Sequence, residues 1–151
     1  EVMSALLTIA LAKEARQFVF GWGNVAALPG GVLIKDYQGQ AIAPDALEYG
    51  TYDFMLKSGV IAYRHQKDVA GRPIAIGRVF ECMVFTEEKM AALSKVAKSL
   101  GLRGCEATDL PTGVWLGAHI FSKEHYLQTV NGELPMFSVG GFHGKVAPHA
   151  K

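Results

Sequence analysis

The sequence predicts an α+β fold in which a largely antiparallel β-sheet or β-barrel carries flanking helices. Three features indicate this class: extended segments outnumber helical ones, helices are inserted between strands, and regular βαβ alternation is absent. The chain has 151 residues, 50% of them hydrophobic and 19% charged, which suits one domain with a single core. No repeat or long polar linker divides it, so we treat residues 1–151 as one domain.

The first part of the chain predicts a β-hairpin and a short third strand. The segment Leu6–Ala12 fits either a helix or a strand on its own. The charged break Lys13–Arg16 and the aromatic and β-branched run Gln17–Val25 favour two paired strands. Turn-forming residues then precede Gly31–Ile34, which can begin another extended segment.

The middle of the chain predicts one helix and two strands. Pro44 suits the first turn of a helix, which we expect to end near Ser58. The segment Gly59–His65 is typical of a strand. After a polar loop, the Val-, Ile- and Phe-rich run Ile74–Phe85 predicts a long strand.

The second half predicts two further helices and two further strands. Thr86 is a suitable N-cap for a helix that Gly101 ends. Gly113–Phe121 predicts a strand, and Ser122 can cap a short helix that reaches Val130. The last predicted strand extends from Met136 to about Gly144.

Composition argues against several classes of function. The formal net charge of +1 gives no reason to expect nucleic acid or a membrane surface as the main partner. Cys82 and Cys105 are too few for a disulfide framework and are expected to be reduced thiols. The apolar segment Met3–Ala12 lacks a basic flank and a processing site, so we assign it to the fold rather than to a signal peptide.

The segment around Ser138 carries the best candidate nucleophile. In an extended segment Ser138 points away from Phe137 and Val139, and Gly140 and Gly141 leave space beside its hydroxyl. That space would admit a peptide, and the glycine amides are candidate oxyanion donors. The alternative is a small strand residue beside a glycine turn, because such short patterns are common.

A serine hydroxyl needs a base, and His65 is the best candidate. It ends an apolar strand at the edge of a polar loop, where an imidazole can be fixed and still reach a cleft. The alternative is an ordinary surface histidine. Only a contact with Ser138 would distinguish the two.

The third catalytic group is left open between two main candidates. Glu81 lies in an otherwise apolar strand that is expected to neighbour the His65 strand, where a carboxylate needs a partner. It could instead face outward and pair with Arg78 or another surface cation. His143 follows Ser138 and would give a Ser-His-His arrangement, whereas Asp68 is expected to be a loop residue.

The sequence gives little support for a metal centre or a bound cofactor. The histidines show no compact ligand spacing and the cysteines form no paired motif. A metal-dependent hydrolase therefore stays a weaker alternative, which chelation and elemental analysis would test. The histidines concerned are His119, His125, His143 and His149.

The chain carries an ordered series of short motifs from Phe18 to about Phe142. The motifs are Val19–Phe20–Gly21–Trp22, Asp36–Tyr37–Gln38–Gly39, Tyr52–Asp53–Phe54–Met55–Leu56, His65, Val79–Phe80–Glu81, Phe85–Thr86–Glu87–Glu88–Lys89, Pro111–Thr112–Gly113–Val114–Trp115–Leu116–Gly117, Asn131–Gly132–Glu133 and Phe137–Ser138–Val139–Gly140–Gly141. The order of the motifs is more specific than any one of them. In this order the series resembles the phage prohead (capsid-maturation) serine proteases, in particular their XkdF-like branch.

The resemblance implies a fold like that of the herpesvirus assemblins and a serine endopeptidase that needs no cofactor. By position, the family's histidine corresponds to His65 and its serine to Ser138, while Glu81 matches a recurrent acidic position. The implied partners are the phage scaffold and major capsid protein, cleaved inside the immature shell in the host cytoplasm, with self-processing. Homodimerisation or assembly-linked self-association is compatible with the resemblance.

The main rival function is a catalytically inactive capsid-assembly or scaffold-associated domain with the same fold. It would keep the core pattern without a Ser138–His65 contact. The chain could also be a self-processed or trimmed fragment, since it starts without Met and ends soon after the proposed active-site strand.

Overall fold

The computed structural model describes residues 8–35, 39–103, 109–135 and 137. Within these ranges the chain forms a mixed α+β fold built on one six-stranded antiparallel sheet. The strands pair in the order β1-β2-β6-β5-β4, and the short β3 pairs with the end of β2. Their bounds are Ile9–Lys13 for β1, Phe18–Leu28 for β2, Val32–Leu33 for β3, Val60–Lys67 for β4, Pro73–Phe85 for β5 and Thr112–Ile120 for β6.

Three α-helices accompany the sheet in the described ranges: α1 (Pro44–Lys57), α2 (Glu87–Ser99) and α3 (Lys123–Val130). The helix α1 begins with Pro44. Proline has no backbone N–H, and this costs nothing in the first turn, where an N–H has no partner within the helix. The side chain of Thr86 caps α2 by accepting the Lys89 amide, as the sequence predicted.

One face of the sheet and the helices form the core. Alternate residues of β2, β5 and β6 are buried there, which is the two-residue period of a strand with one covered face. Leu47 of α1 and Tyr126 of α3 pack into the same cluster. The sheet residues of the cluster are Val19, Ala26, Val79, Val84, Val114, Leu116, Ala118 and Ile120.

The sheet is open over the residues described. The strands β1 and β4 form its two edges, and neither pairs with the other. At the β1 edge the Ile9 amide donates to the Pro135 carbonyl at 2.7 Å, so the chain after α3 returns beside β1. No helix in the described ranges has the length and apolar character needed to cross a membrane.

The predicted elements agree with those observed, apart from the last. The hairpin, the three helices and the strands after residue 30 all lie where the sequence predicted them, with ends shifted by a few residues. Leu6–Ala12 was ambiguous, and the structure places its described part in β1. The strand predicted from Met136 to Gly144 lies outside the described residues, except for Phe137.

Candidate functional site

His65 lies near the end of the edge strand β4 in an uncommon backbone conformation. Arg64 and His65 both have positive φ, 45° and 58°, in the left-handed region that disfavours residues with a Cβ. The pairing of β4 with β5 is irregular between Ala62 and Lys67, which frames these two residues. His65 is exposed. A strained, exposed histidine at a strand end is the kind of outlier that clusters at functional sites.

Aromatic and cationic side chains surround this end of β4. The Arg64 guanidinium lies over the Tyr63 ring at 5.4 Å. The other side of the cluster is the His125 ring of α3, whose centroid is 5.2 Å from that of Tyr63. The Tyr63 contact therefore ties the His65 strand to α3.

Asp68 is occupied by its own loop. One carboxylate oxygen accepts the Ala70 and Arg72 amides, each at 2.9 Å, and the other accepts the Arg72 side chain at 2.8 Å. The Arg72 backbone amide, followed by the Arg72 side chain and the Ala70 amide, lowers the pKa of this carboxyl despite some desolvation. The sequence-based assignment of Asp68 to the loop is consistent with these bonds.

Glu81 lies on the strand that neighbours β4, but at a different level. Ala75 of β5 is opposite Ala62 of β4, and His65 continues from there towards the hairpin. Glu81 lies six residues beyond Ala75 in the opposite direction, a length of about 20 Å in an extended strand. The register therefore brings the two strands together as predicted without bringing Glu81 to His65. Glu81 is exposed and forms no ion pair with Arg78.

The structure describes Pro135 and Phe137, which come just before the predicted nucleophile. Phe137 is 8% exposed and belongs to the core cluster, while Pro135 is bonded to the β1 edge. Ser138, Gly140, Gly141 and His143 lie outside the described residues.

One serine–histidine contact is present in the described ranges that the sequence analysis did not identify. Ser122 Oγ lies 2.9 Å from His125 Nδ1 and also accepts the His125 amide at 3.2 Å. The ring nitrogen contacts the Ser122 hydroxyl and not the Ser122 backbone amide, so this is an N-cap contact and not a full capping box. The S-x-x-H spacing at the start of α3 indicates this contact, whereas the sequence analysis used Ser122 only as a helix cap. Ser122 supplies a control for any test of Ser138.

A second polar cluster joins α1 to α2. Glu48 accepts from the Lys89 ammonium, and the Tyr52 hydroxyl donates to the same carboxylate oxygen at 2.6 Å. The hydrogen bond from Lys89, then that from Tyr52, lowers the pKa of Glu48. Burial lowers the pKa of Lys89, but the hydrogen bonds to Glu48 and Tyr52 outweigh it, so the pKa is raised. Burial raises the pKa of the nearby Cys82 thiol, which Lys89 partly offsets. The contacts among Glu48, Tyr52 and Lys89 join α1 to α2, which is a structural role.

A partly open pocket lies on another part of the fold. Its volume is about 590 Å³, and its polar lining comes from Glu14, Gln17, Lys123 and Tyr126. Burial, followed by the Glu14 charge, raises the pKa of Tyr126. Of the predicted catalytic residues that the structure describes, neither His65 nor Glu81 lines it.

No group of three metal-ligating side chains is found within the ranges that the structure describes. In comparisons with known proteins, no family model, no curated protein and no solved structure matches the chain. The functional assignment therefore depends on the sequence motifs and on the geometry given above.

Proposed function

We propose that the chain is a serine endopeptidase that cleaves scaffold and capsid-protein extensions during phage prohead maturation. Ser138 is the nucleophile and His65 the general base. The observation that carries the proposal is the exposed His65 at the end of β4, held with Arg64 in a left-handed backbone. Such strain is retained where the surroundings impose it, and active sites are where it clusters.

The proposed reaction follows from the chemistry of the two side chains. His65 removes the Ser138 proton as the hydroxyl attacks the scissile carbonyl, and then protonates the leaving amine. Water hydrolyses the acyl-enzyme by the same route. The Gly140 and Gly141 amides are the candidate donors to the oxyanion.

The proposal requires an assemblin-like barrel closed between the β1 and β4 edges. His65 belongs to β4, whereas the bond from Ile9 to Pro135 brings the approach to Ser138 to the β1 edge. In a background without native cysteines, Ser138→Cys with His65→Cys should be joined efficiently by a short bifunctional thiol reagent. Ser138→Cys with Leu56→Cys, on the exposed side of α1, is the matched control. Equal joining of both pairs would contradict the barrel.

Cleavage of the scaffold and capsid protein of the phage that encodes the chain tests the nucleophile. Ser138→Ala and His65→Gln should each lower the cleavage rate by a factor of at least about 10³. Ser122→Ala, which removes the capping contact, should keep the rate within about a factor of three when the protein is folded. Cleavage by Ser138→Ala at the wild-type rate would rule out Ser138.

His143 and Glu81 are the two candidates for the group that orients His65. Because the register keeps Glu81 away from His65, His143 is the better candidate to test first. His143→Ala should then reduce cleavage strongly, and Glu81→Gln should leave it nearly unchanged. The opposite result would return Glu81 to the active site and require a different β4–β5 register.

The rival is a non-enzymatic capsid-assembly domain. A serine-reactive phosphonate should label Ser138 in assembled wild-type protein and fail to label His65→Gln. Absence of labelling in the wild type would favour the rival.

A further inference from the structure

The short helix α3 is connected to both sides of the open sheet. It follows β6, and just before it the Phe121 amide donates to the Ile76 carbonyl of β5 at 2.8 Å. Just after it, the Pro135 carbonyl accepts the Ile9 amide of β1 at 2.7 Å. The segment that contains α3 therefore begins beside β5, the neighbour of β4, and ends on the β1 edge.

Two consecutive side chains of α3 make contacts in these two directions. The His125 ring lies 5.2 Å from the Tyr63 ring of β4, measured between centroids. Tyr126 is 3% exposed and lines a pocket with Glu14 and Gln17, at the turn between β1 and β2. The strands β1 and β4 are four strand spacings, or about 19 Å, apart along the sheet. The helix α3 thus bridges the two edge regions at this end of the sheet.

On the β4 side, the bridge reaches the strand where extra residues are inserted. Four residues, 63–66, lie between the paired Ala62 and Lys67, whereas one residue lies between their partners on β5. The insertion therefore has three extra residues, four minus one, and it contains the left-handed Arg64 and His65. Extra residues of this kind in a strand change the direction of side chains and are frequent beside active sites.

Tyr63 is the first residue of this insertion and links it to α3. The Arg64 guanidinium lies over the Tyr63 ring at 5.4 Å, and the His125 ring contacts the same side chain. His125 is held in turn by its helix and by Ser122 Oγ, 2.9 Å from Nδ1. Left-handed backbone is unfavourable for residues with a Cβ, so it persists only where the surroundings impose it. The contact between Tyr63 and His125 is one such constraint.

We propose that Tyr63 and His125 are positioning residues for the catalytic base His65. Their ring contact fixes the insertion that carries His65 to α3, and the chain continues from α3 through Pro135 to Ser138. One helix thus sets the positions of both the base and the nucleophile. The inference rests on the proposed function and adds what holds its two groups together. A small misplacement of a catalytic group lowers the rate strongly, because the reacting atoms must be aligned.

Steady-state cleavage of the scaffold protein tests the positioning role. Tyr63→Leu keeps an apolar side chain without the ring, and it should lower kcat at least about tenfold with KM changed by less than about twofold. Tyr63→Phe keeps the ring and should stay within about threefold of wild type. His125→Leu and His125→Phe should repeat this contrast from the helix. Because both leucine variants remove one contact, the double leucine variant should be no slower than either of them.

A second measurement does not need catalysis. The NMR chemical shifts of Cα and Cβ distinguish left-handed from extended backbone, and they can be followed at Arg64 and His65. Tyr63→Leu and His125→Leu should move these shifts towards extended values, whereas the two phenylalanine variants should leave them in place. If wild type and Ser138→Ala cleave alike, the proposed function fails, and the shifts still show whether the ring contact holds the His65 backbone.

Controls separate positioning from general damage. Ser122→Ala keeps both rings, and Leu56→Ala changes an exposed side chain of α1, so both should retain kcat and the shifts of His65. If Tyr63→Leu does not fold, His125→Leu removes the same contact from the other side. Unchanged shifts of Arg64 and His65 in the leucine variants would overturn the proposal. Equal loss of kcat in Tyr63→Phe and Tyr63→Leu would also overturn it, because the hydroxyl and not the ring would then be required.

Discussion

At the scale of single residues, two glycines show opposite consequences of lacking a side chain. Gly50 lies inside α1 on its exposed side, and nothing lies within 4 Å of the position that a Cβ would occupy. Gly77 lies in β5, where a Cβ would come within 2.6 Å of the His119 carbonyl oxygen. The first glycine is a cost to helix stability, and the second is required by the close approach of β6.

Alanine at these two positions should therefore have opposite effects on the free energy of unfolding. Gly50→Ala should raise it by about 0.5–1 kcal/mol, because glycine is unfavourable inside a helix. Gly77→Ala should lower it by about 1–3 kcal/mol, since backbone must move to admit the methyl group. Urea unfolding followed by circular dichroism measures both. A stable Gly77→Ala protein with unchanged midpoint would contradict the β5–β6 contact.

At the scale of elements, the link between α1 and α2 depends on ionisation. Glu48 and Lys89 are only 21% and 31% exposed, and the Tyr52 hydroxyl shares the same carboxylate oxygen. The pKa of Glu48 is lowered from its ordinary value of 4.5, and that of Lys89 is raised from 10.5. The stabilisation is therefore complete between these two ordinary values and decreases outside them.

Acidification should reveal the contribution of this link. As the pH falls below about 4.5 towards the lowered pKa of Glu48, wild type should lose stability that Glu48→Gln has already lost at neutral pH. The difference at pH 7 should be about 1 kcal/mol or less, because the pair is partly solvated. Chemical unfolding at pH 7 and pH 3 measures it. Asp53→Asn, which removes an exposed ion pair to Lys57 within α1, should change stability little.

At the scale of the whole molecule, Cys82 reports on opening of the fold. Its thiol is partly buried beside the core, and burial raises its pKa above the ordinary 9.0. Both effects reduce the amount of accessible thiolate, which is the reactive form. Modification should therefore follow unfolding of the sheet from the helices.

In a Cys105→Ser background, alkylation of Cys82 by iodoacetamide should be at least about tenfold slower in buffer than in denaturing urea. Gly77→Ala, which destabilises the same strand, should accelerate it, and Gly50→Ala should slow it. Mass spectrometry over time gives the rates. Equal rates in buffer and in urea would show that Cys82 is not protected.

Local signals in the sequence were sufficient for most elements. Caps and proline fixed the helices, and the hairpin β1–β2 needed only neighbouring segments. The insertion of β6 between β2 and β5 could not be predicted, because its pairing with β2 joins segments about ninety residues apart and no local pattern specifies such a pairing.

The candidate site was also predictable only in part. Neighbouring strands for His65 and Glu81 followed from the intervening loop, and this is confirmed. Their levels along those strands depend on register and bulges, which alternation alone does not determine.

The pairing of β2 with β6 also has a consequence for biosynthesis. A nascent chain can form the β1–β2 hairpin early. The other neighbour of β2 is β6, which is synthesised only about ninety residues later. During that interval the rings of Phe18, Phe20 and Trp22 have no β6 beside them. Until β6 is made, these rings are exposed apolar surface of the kind that promotes aggregation of unfinished chains.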